Sequence, residues 1–74
     1  MGIPIDKVAL YQMRYTKGSK LKLTADIHDP YTPKKKGDIF IVSFVDDAGQ
    51  IHGRFVSGGS IALIPGVDAF EVIG

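Results

Sequence analysis

Residues 36–73 read KGDIFIVSFVDDAGQIHGRFVSGGSIALIPGVDAFEVI. Four apolar runs are separated here by three turn signals, DDAG, SGG and PGVD. Short apolar runs between turns rich in glycine and aspartate are typical of antiparallel strands joined by tight hairpins. The stretch therefore predicts a small, closed or nearly closed antiparallel β-structure.

The first of these runs, residues 38–45, is apolar on both of its faces. Strand alternation divides its side chains into two sets, Phe40, Val42 and Phe44 on one side and Ile39, Ile41 and Val45 on the other. A strand covered on both sides is either central in a layered fold or curls through a small barrel. Because so few residues are available to cover it, we expect the barrel.

Four further segments are predicted to be strands, at residues 20–24, 50–56, 60–64 and 69–73. In the second of these, Ile51 and Phe55 point inward with Gly53 between them, whereas His52 and Arg54 point outward. Residues 65–68 are too few for a helix and suit a single 3₁₀ turn. The expected core positions of the other segments are Leu21, Leu23, Ile61, Leu63, Phe70 and Val72.

Ahead of the strands, residues 4–15 are the only plausible helix. Pro4 suits a first helical position, and Gly18 suits the residue that ends a helix. An apolar stripe runs along this segment through Ile5, Val8, Ala9, Tyr11 and Tyr15.

Two interpretations of this N-terminal arm, residues 1–18, stay open. In one, the arm lies across an end of the barrel formed by residues 19–74 and plugs it. In the other, it binds a partner through Leu10, Met13 and Tyr15.

The composition restricts the function. The chain has 74 residues, with nine Lys and Arg, eight Asp and Glu and no cysteine. So short a chain forms one domain and spends nearly all its apolar residues on the core. Little remains to build a deep pocket, so we expect no enzyme activity and no cofactor. The near-balanced charge is not that of a general nucleic-acid binder, although it permits a local basic patch.

Targeting signals are also missing from the sequence. No apolar run approaches the roughly 18 residues of a membrane span. Residues 1–10 have neither the charged start nor the uninterrupted apolar segment of a signal peptide. We therefore expect a cytoplasmic protein that has no membrane partner.

The order of predicted elements resembles a known barrel. A strand, a long loop, a strand, two hairpins, a 3₁₀ turn and a last strand are the layout of the Src-homology-3-like barrel. The KKGD before the second strand and the ALIPG before the last agree with it. The expected fold is thus all-β, a five-stranded Src-homology-3-like antiparallel barrel with a short N-terminal helix or arm.

Residues 17–73 also resemble the family called domain of unknown function 4314. The similarity is carried by the motifs YTKGSKLKL, DPYTP, VDDAGQIH and SGGSIALIPGVDAFEVI. The family often has Trp followed by Asp-Asn-Gly near the end of the third strand, where this chain has Phe55, Val56, Ser57 and Gly58. Members occur in bacteria, phages and conjugative elements, so the resemblance implies a shape and a genetic context but no activity.

Candidate binding residues lie on a loop and on one strand. Residues 26–36 contain two prolines and three consecutive lysines, so they form a loop and not a central strand. The candidates are Asp29, Tyr31, Lys34, Lys35 and Lys36 on this loop, with His52 and Arg54 on the outer side of the strand at 50–56.

Other polar groups are predicted to be structural. Asp46 and Asp47 belong to a hairpin turn, in which Asp bonds its own backbone. His28 with Asp26 and Asp29 has no recognised metal-ligand spacing, so we expect no metal site.

These observations favour a non-catalytic protein-binding module of a phage or mobile genetic element, for example an inhibitor or adaptor of a host or element-encoded protein. The alternative is a nucleic-acid-binding accessory domain, in which Lys34, Lys35 and Lys36 contact phosphates of DNA or RNA and Tyr31 stacks on a base. Lysine runs are also common in solvated loops, so the sequence does not choose between these functions.

Overall fold

The computed structural model of the protein describes residues 7–74. Its elements are, in chain order, helix α1 (Lys7–Arg14) and strands β1 (Lys20–Leu23), β2 (Ile39–Val45), β3 (Ile51–Phe55) and β4 (Phe70–Val72). The strands form one antiparallel sheet in the order β3-β2-β1-β4. The predicted antiparallel β-rich fold with a short helix is therefore confirmed, as an open sheet of four strands.

The core lies against one face of this sheet. Leu21 and Leu23 of β1 alternate with two exposed lysines, and Phe40 packs edge-on against Phe55 with ring centroids 5.0 Å apart. The buried residues of the described region are Tyr15, Leu21, Leu23, Phe40, Val42, Val45, Ile51, Phe55 and Leu63.

A β-bulge at Ser43 overturns part of the predicted alternation in β2. Val42 pairs with Gly53 and Phe44 pairs with His52, so the register shifts by one residue between them. Because an extra residue reverses the direction of every later side chain, Phe44 turns outward and Val45 turns inward. The predicted placement of Phe44 on the side of Phe40 and Val42, and of Val45 on the side of Ile39 and Ile41, is thus wrong. The Phe44 side chain is 55% exposed and that of Val45 is 7% exposed.

The predicted strand at residues 60–64 is reduced to one pair of hydrogen bonds. Ile51 and Leu63 exchange N–H···O bonds of 2.8 and 2.9 Å, and the Ser60 hydroxyl donates to the Gly53 carbonyl at 2.7 Å. The preceding Gly58 and Gly59 both have positive φ, which turns the chain away from an extended course. Pro65, which lacks a donor, follows directly. The segment delivers Leu63 to the core without forming a full strand.

The turn after this segment is a β-turn and not the predicted 3₁₀ turn. Val67 N donates to Ile64 O at 3.0 Å, and Gly66 has φ 85°. A 3₁₀ turn needs a negative φ at that position, whereas proline followed by a glycine of positive φ is the pattern of a type II turn. Asp68 closes it by accepting a bond from Ile64 N at 2.8 Å.

Helix α1 packs beside the β2–β3 hairpin, and Tyr15, directly after its last residue, packs against β4. The Tyr15 ring meets Phe70 edge-on with centroids 5.6 Å apart, and Gln12 Nε2 donates to Val45 O at 3.3 Å. Tyr15 therefore serves the core, while Leu10 and Met13 face solvent. With eight residues, α1 is too short to cross a membrane, and it is the only helix among residues 7–74. The predicted helix start, including Pro4 and Ile5, lies outside the described residues.

Candidate functional site

The sheet has a second face, opposite the core, on which polar and apolar side chains alternate. The register of strand pairing defines this face, because directly paired residues point to the same side of a sheet. We call it the outer face, and its side chains are those of Lys20, Lys22, Ile39, Ile41, Phe44, His52, Arg54 and Glu71.

Pairing arranges these side chains in rows across the strands. In the middle row, Ile41 of β2 lies between Arg54 of β3 and Lys20 of β1. In the next row, Ile39 is paired with Lys22, which is paired with Glu71 of β4. Both isoleucines are only half-buried. The outer face therefore has an apolar centre line on β2 with cations beside it.

Phe44 and His52 form the third row and are in direct contact. Their rings stack with centroids 4.6 Å apart and an interplanar angle of 3°. The bulge at Ser43 creates this contact, because it turns Phe44 to the side on which His52 already lies. The predicted outward direction of His52 and Arg54 is confirmed, whereas sequence reasoning missed Phe44. The available signal was a polar residue, Ser43, inside an otherwise apolar run.

Asp46 fixes His52 from the adjoining turn. His52 Nε2 donates to Asp46 Oδ2 at 2.7 Å, and the backbone amides of Ala48 and Gln50 both donate to Asp46 Oδ1 at 2.9 Å. The hydrogen bond from His52 and then that from Gln50 hold the pKa of the Asp46 carboxyl below its ordinary value. The turn residue predicted from the DDAG motif thus also orients the histidine of the outer face.

The loop at residues 26–36 is an ordered hairpin whose polar groups are largely engaged in holding it. Ile27 and Lys34 exchange backbone bonds of 2.7 and 3.0 Å. Asp29 Oδ1 accepts from the amides of Tyr31 and Thr32, each at 2.8 Å. The Tyr31 side chain points into solvent and is 93% exposed.

The three lysines of the loop differ in their surroundings. Lys34 Nζ donates to Gly58 O and to Ser57 Oγ, and it lies 4.9 Å from the centroid of the Phe55 ring. Lys34 therefore joins the loop to the turn that follows β3. The backbone amides of Lys35 and Lys36 donate to Asp38 Oδ2 and Asp26 Oδ1, and their side chains are exposed.

The predicted binding residues consequently divide into two groups. Successive residues of a strand point to opposite faces, so Phe55 and Arg54 lie on opposite sides of β3. Because Lys34 sits over Phe55, the loop group is on the core side of the sheet, away from His52 and Arg54. The structure does not bring the seven predicted residues into one site.

The acidic side chains and histidines of the described residues bear on whether this part of the chain has a metal site or a pocket. Within residues 7–74, His, Asp and Glu do not come together in any group of three that could hold a metal ion. The same residues enclose no pocket. The carboxylates of Asp26, Asp29 and Asp46 instead accept bonds from backbone amides.

Comparison with known proteins identifies the family. No curated protein and no solved structure matches the chain. The model of the family described as Domain of unknown function (DUF4314) matches residues 5–73, nearly the whole sequence. The chain therefore belongs to the family of Domain of unknown function (DUF4314) proteins.

Proposed function

We propose that this chain is a non-catalytic protein-binding module that engages its partner with the outer face. One observation carries the proposal: β2 is apolar on both faces, but only one of them is covered within the described structure. Phe44, Ile39 and Ile41 reach the uncovered face. A small domain has few apolar residues to spare, so an uncovered row of them indicates a contact surface.

The composition of the outer face is that of an interface. Protein interfaces place apolar and aromatic residues at the centre with polar residues around them, and they are enriched in Phe and Arg. Here Ile41 occupies the centre, Phe44 and Arg54 adjoin it, and lysines of β1 form the rim. The Phe44–His52 stack holds both rings in fixed positions, so little side-chain entropy is lost on binding.

A Src-homology-3-like barrel of five strands forms part of this proposal. The open sheet supports it, because residues 60–64 run along the free edge of β3 and β4 pairs with β1. The five predicted segments thus follow each other around one core. We also propose an origin in a phage or mobile element, where such a module would act in the cytoplasm as an inhibitor or adaptor of a host or element-encoded protein.

The test is affinity capture from bacterial lysate treated with nuclease. The wild-type chain should retain one protein, and Phe44→Ser should lose it. Val67→Ser is the matched control, since Val67 is an exposed valine in the turn at 65–68, off the outer face. Capture that persists in Phe44→Ser, or that disappears with nuclease in the wild type, would refute the proposal.

A second candidate is nucleic-acid binding through the loop. The exposed Tyr31 ring and the exposed side chains of Lys35 and Lys36 favour it, because aromatic stacking and phosphate contacts are the usual means of binding single strands. Lys34 is engaged elsewhere, which leaves two of the three predicted cations. If this function is correct, labelled oligo-dT should bind the wild type, and Lys35→Glu/Lys36→Glu should abolish binding while preserving the fold.

A further inference from the structure

We infer that the partner of the outer face presents an acidic amphipathic helix, with carboxylates on both sides of an aliphatic stripe. This inference rests on the proposed function and specifies the ligand of the same surface. It follows from the charge, the spacing and the apolar content of the outer face.

The charge of the outer face is unbalanced. It carries Lys20, Lys22 and Arg54 against Glu71, and the one acidic group that reaches it from the adjoining turn, Asp46, is hydrogen-bonded to His52. The whole chain, in contrast, has nine basic and eight acidic residues. Glu71 is directly paired with Lys22, so the cations beside Ile41 have no acidic neighbour in their row. The electrostatic complement of this face is therefore an acidic surface.

The same charges disfavour a second copy of this chain as the occupant. In a symmetric face-to-face pair, each outer face would present its three cations to the cations of the other. Like charges brought together across an interface oppose association. A self-associated state would need free acidic groups on this face, where Glu71 lies opposite Lys22 and Asp46 is bonded to His52.

The apolar content favours a protein over a nucleic acid. Ile39 and Ile41 separate the cations of β1 from those of β3, and aliphatic side chains gain nothing from phosphates. The aromatic rings of Phe44 and His52 on this face are stacked on each other, so one side of each ring is already covered. Aliphatic side chains of a partner would instead remove the isoleucines and the free side of Phe44 from water.

The spacing of the cations on the outer face fits a helical partner. Lys20 and Arg54 flank β2, about 10 Å apart as two strand separations, and Lys20 and Lys22 lie about 7 Å apart along β1. A helix lying along β2 is about 10–12 Å wide, so carboxylates on its two flanks can meet Lys20 on one side and Arg54 on the other. Carboxylates at positions i and i+4 on one flank lie about 6 Å apart, close to the separation of Lys20 and Lys22. Helices are also the usual cover for an apolar sheet face in domains.

The experiment is selection from a displayed library of 18-residue helical peptides in which one face is fully randomised. The targets are the wild type, the charge-reversed variant Lys20→Glu/Arg54→Glu and the control Lys35→Glu/Lys36→Glu. Both variants change two exposed cations, but only the first changes the outer face. Circular dichroism checks that each target is folded.

The wild type and the control should select helices with aliphatic residues at i, i+3 or i+4 and i+7, flanked by Asp or Glu. The charge-reversed variant should select Lys or Arg at the flanking positions. In fluorescence anisotropy, the best acidic peptide should bind the charge-reversed variant at least tenfold more weakly than the wild type. It should also bind the wild type more tightly than an oligo-dT of equal charge.

Selection of the same acidic peptides by the charge-reversed variant, or tighter binding of oligo-dT, would overturn the inference. Neutral or basic peptides that bind the wild type and are lost in Phe44→Ser would overturn it while leaving the proposed function in place. Peptides that bind Phe44→Ser as well as the wild type, or the selection of no peptide at all, would count against both the inference and the proposed function.

Discussion

Ser43 shows how one residue can move an aromatic ring from the core to the surface. The bulge at this position lets Val45 take the buried place next to the hairpin, and it leaves Phe44 stacked on His52. Bulges are common beside functional sites because they redirect a side chain without ending the strand. Phe44 therefore contributes to the outer face more than to stability.

This assignment predicts that replacing Phe40 or Phe44 of β2 by alanine lowers the free energy of unfolding by unequal amounts. Phe40 is completely buried, so Phe40→Ala should lower the free energy of unfolding by about 3–5 kcal/mol. Phe44→Ala should lower it by about 1 kcal/mol or less, the size of an exposed ring contact. Urea denaturation followed by circular dichroism measures both. Equal losses would mean that Phe44 belongs to the core.

Gly53 is required by a close approach of backbone and ring. A Cβ at this position would lie 2.0 Å from the carbonyl oxygen of Ile41 and 2.8 Å from the Phe40 ring. Gly53→Ala should therefore lower the free energy of unfolding by at least about 2 kcal/mol. Gly58→Ala is the comparison, because its Cβ meets no atom within 4 Å and only its positive φ is strained, a cost of about 1 kcal/mol. A smaller loss for Gly53→Ala than for Gly58→Ala would contradict this account.

At the level of elements, α1 is anchored to the sheet through Tyr15, the residue that directly follows it. Tyr15 is buried against Phe70, whereas Met13 is 78% exposed. Tyr15→Ala should lower the free energy of unfolding by about 3 kcal/mol. Met13→Ala should change it by less than about 0.5 kcal/mol. Chemical denaturation of the two variants tests whether α1 is part of the cooperative fold. A Tyr15→Ala variant as stable as Met13→Ala would show that it is not.

Lys34 holds the loop at residues 26–36 to the turn that follows β3. Its ammonium group bonds Gly58 O and lies over the Phe55 ring, while the backbone of Lys34 pairs with Ile27. Lys34→Ala should therefore speed hydrogen exchange at the Ile27 and Lys34 amides and lower the free energy of unfolding by about 1 kcal/mol. Lys35→Ala removes a neighbouring exposed cation and should leave exchange unchanged. Equal exchange in the two variants would show that Lys34 does not hold the loop.

At the scale of the whole molecule, the hydrophobic core lies on one side of the sheet, so the other face of the sheet remains uncovered. The buried side chains of the described residues form one cluster, covered by α1, the loop and residues 60–64 on the same side. A domain of this size has a net stability of roughly 3–5 kcal/mol. A partner that covers the outer face should therefore raise the stability of the whole fold, since it binds only the folded chain.

The acid dependence of unfolding is another property of the whole molecule. The pKa of Asp46 is lowered in the folded state by the hydrogen bond from His52. A lowered carboxyl pKa stabilises the fold above the unfolded value, about 3.9, and this contribution is lost as the pH falls through the folded value. Asp46→Asn should therefore show a shallower loss of stability below about pH 4, measured by urea midpoints. Asp47→Asn controls for removing a carboxylate from the same turn. An equal acid slope in both variants would contradict the role of Asp46.

Local features of this chain were predictable from its sequence because they depend on neighbours in the chain. The alternation of Lys20, Leu21, Lys22 and Leu23 defines β1, and the DDAG and SGG motifs place the turns at glycines of positive φ. The outward direction of His52 and Arg54 followed from the same two-residue period. Lys20, Lys22, His52 and Arg54, whose directions were predicted in this way, are four of the eight residues of the outer face.

The other features of the fold and of the outer face depend on pairing between segments that are distant in the sequence. Whether residues 60–64 form a strand depends on how they meet β3, and the bulge at Ser43 appears only when β2 is aligned with β3. Lys34 bonds a carbonyl 24 residues away, so no local pattern could assign it. The row of Ile39, Ile41 and Phe44 is uncovered because α1, the loop and residues 60–64 all pack on the opposite side of the sheet. Strand propensity and turn chemistry are encoded locally, whereas register, closure and exposure are set only when distant segments pack together.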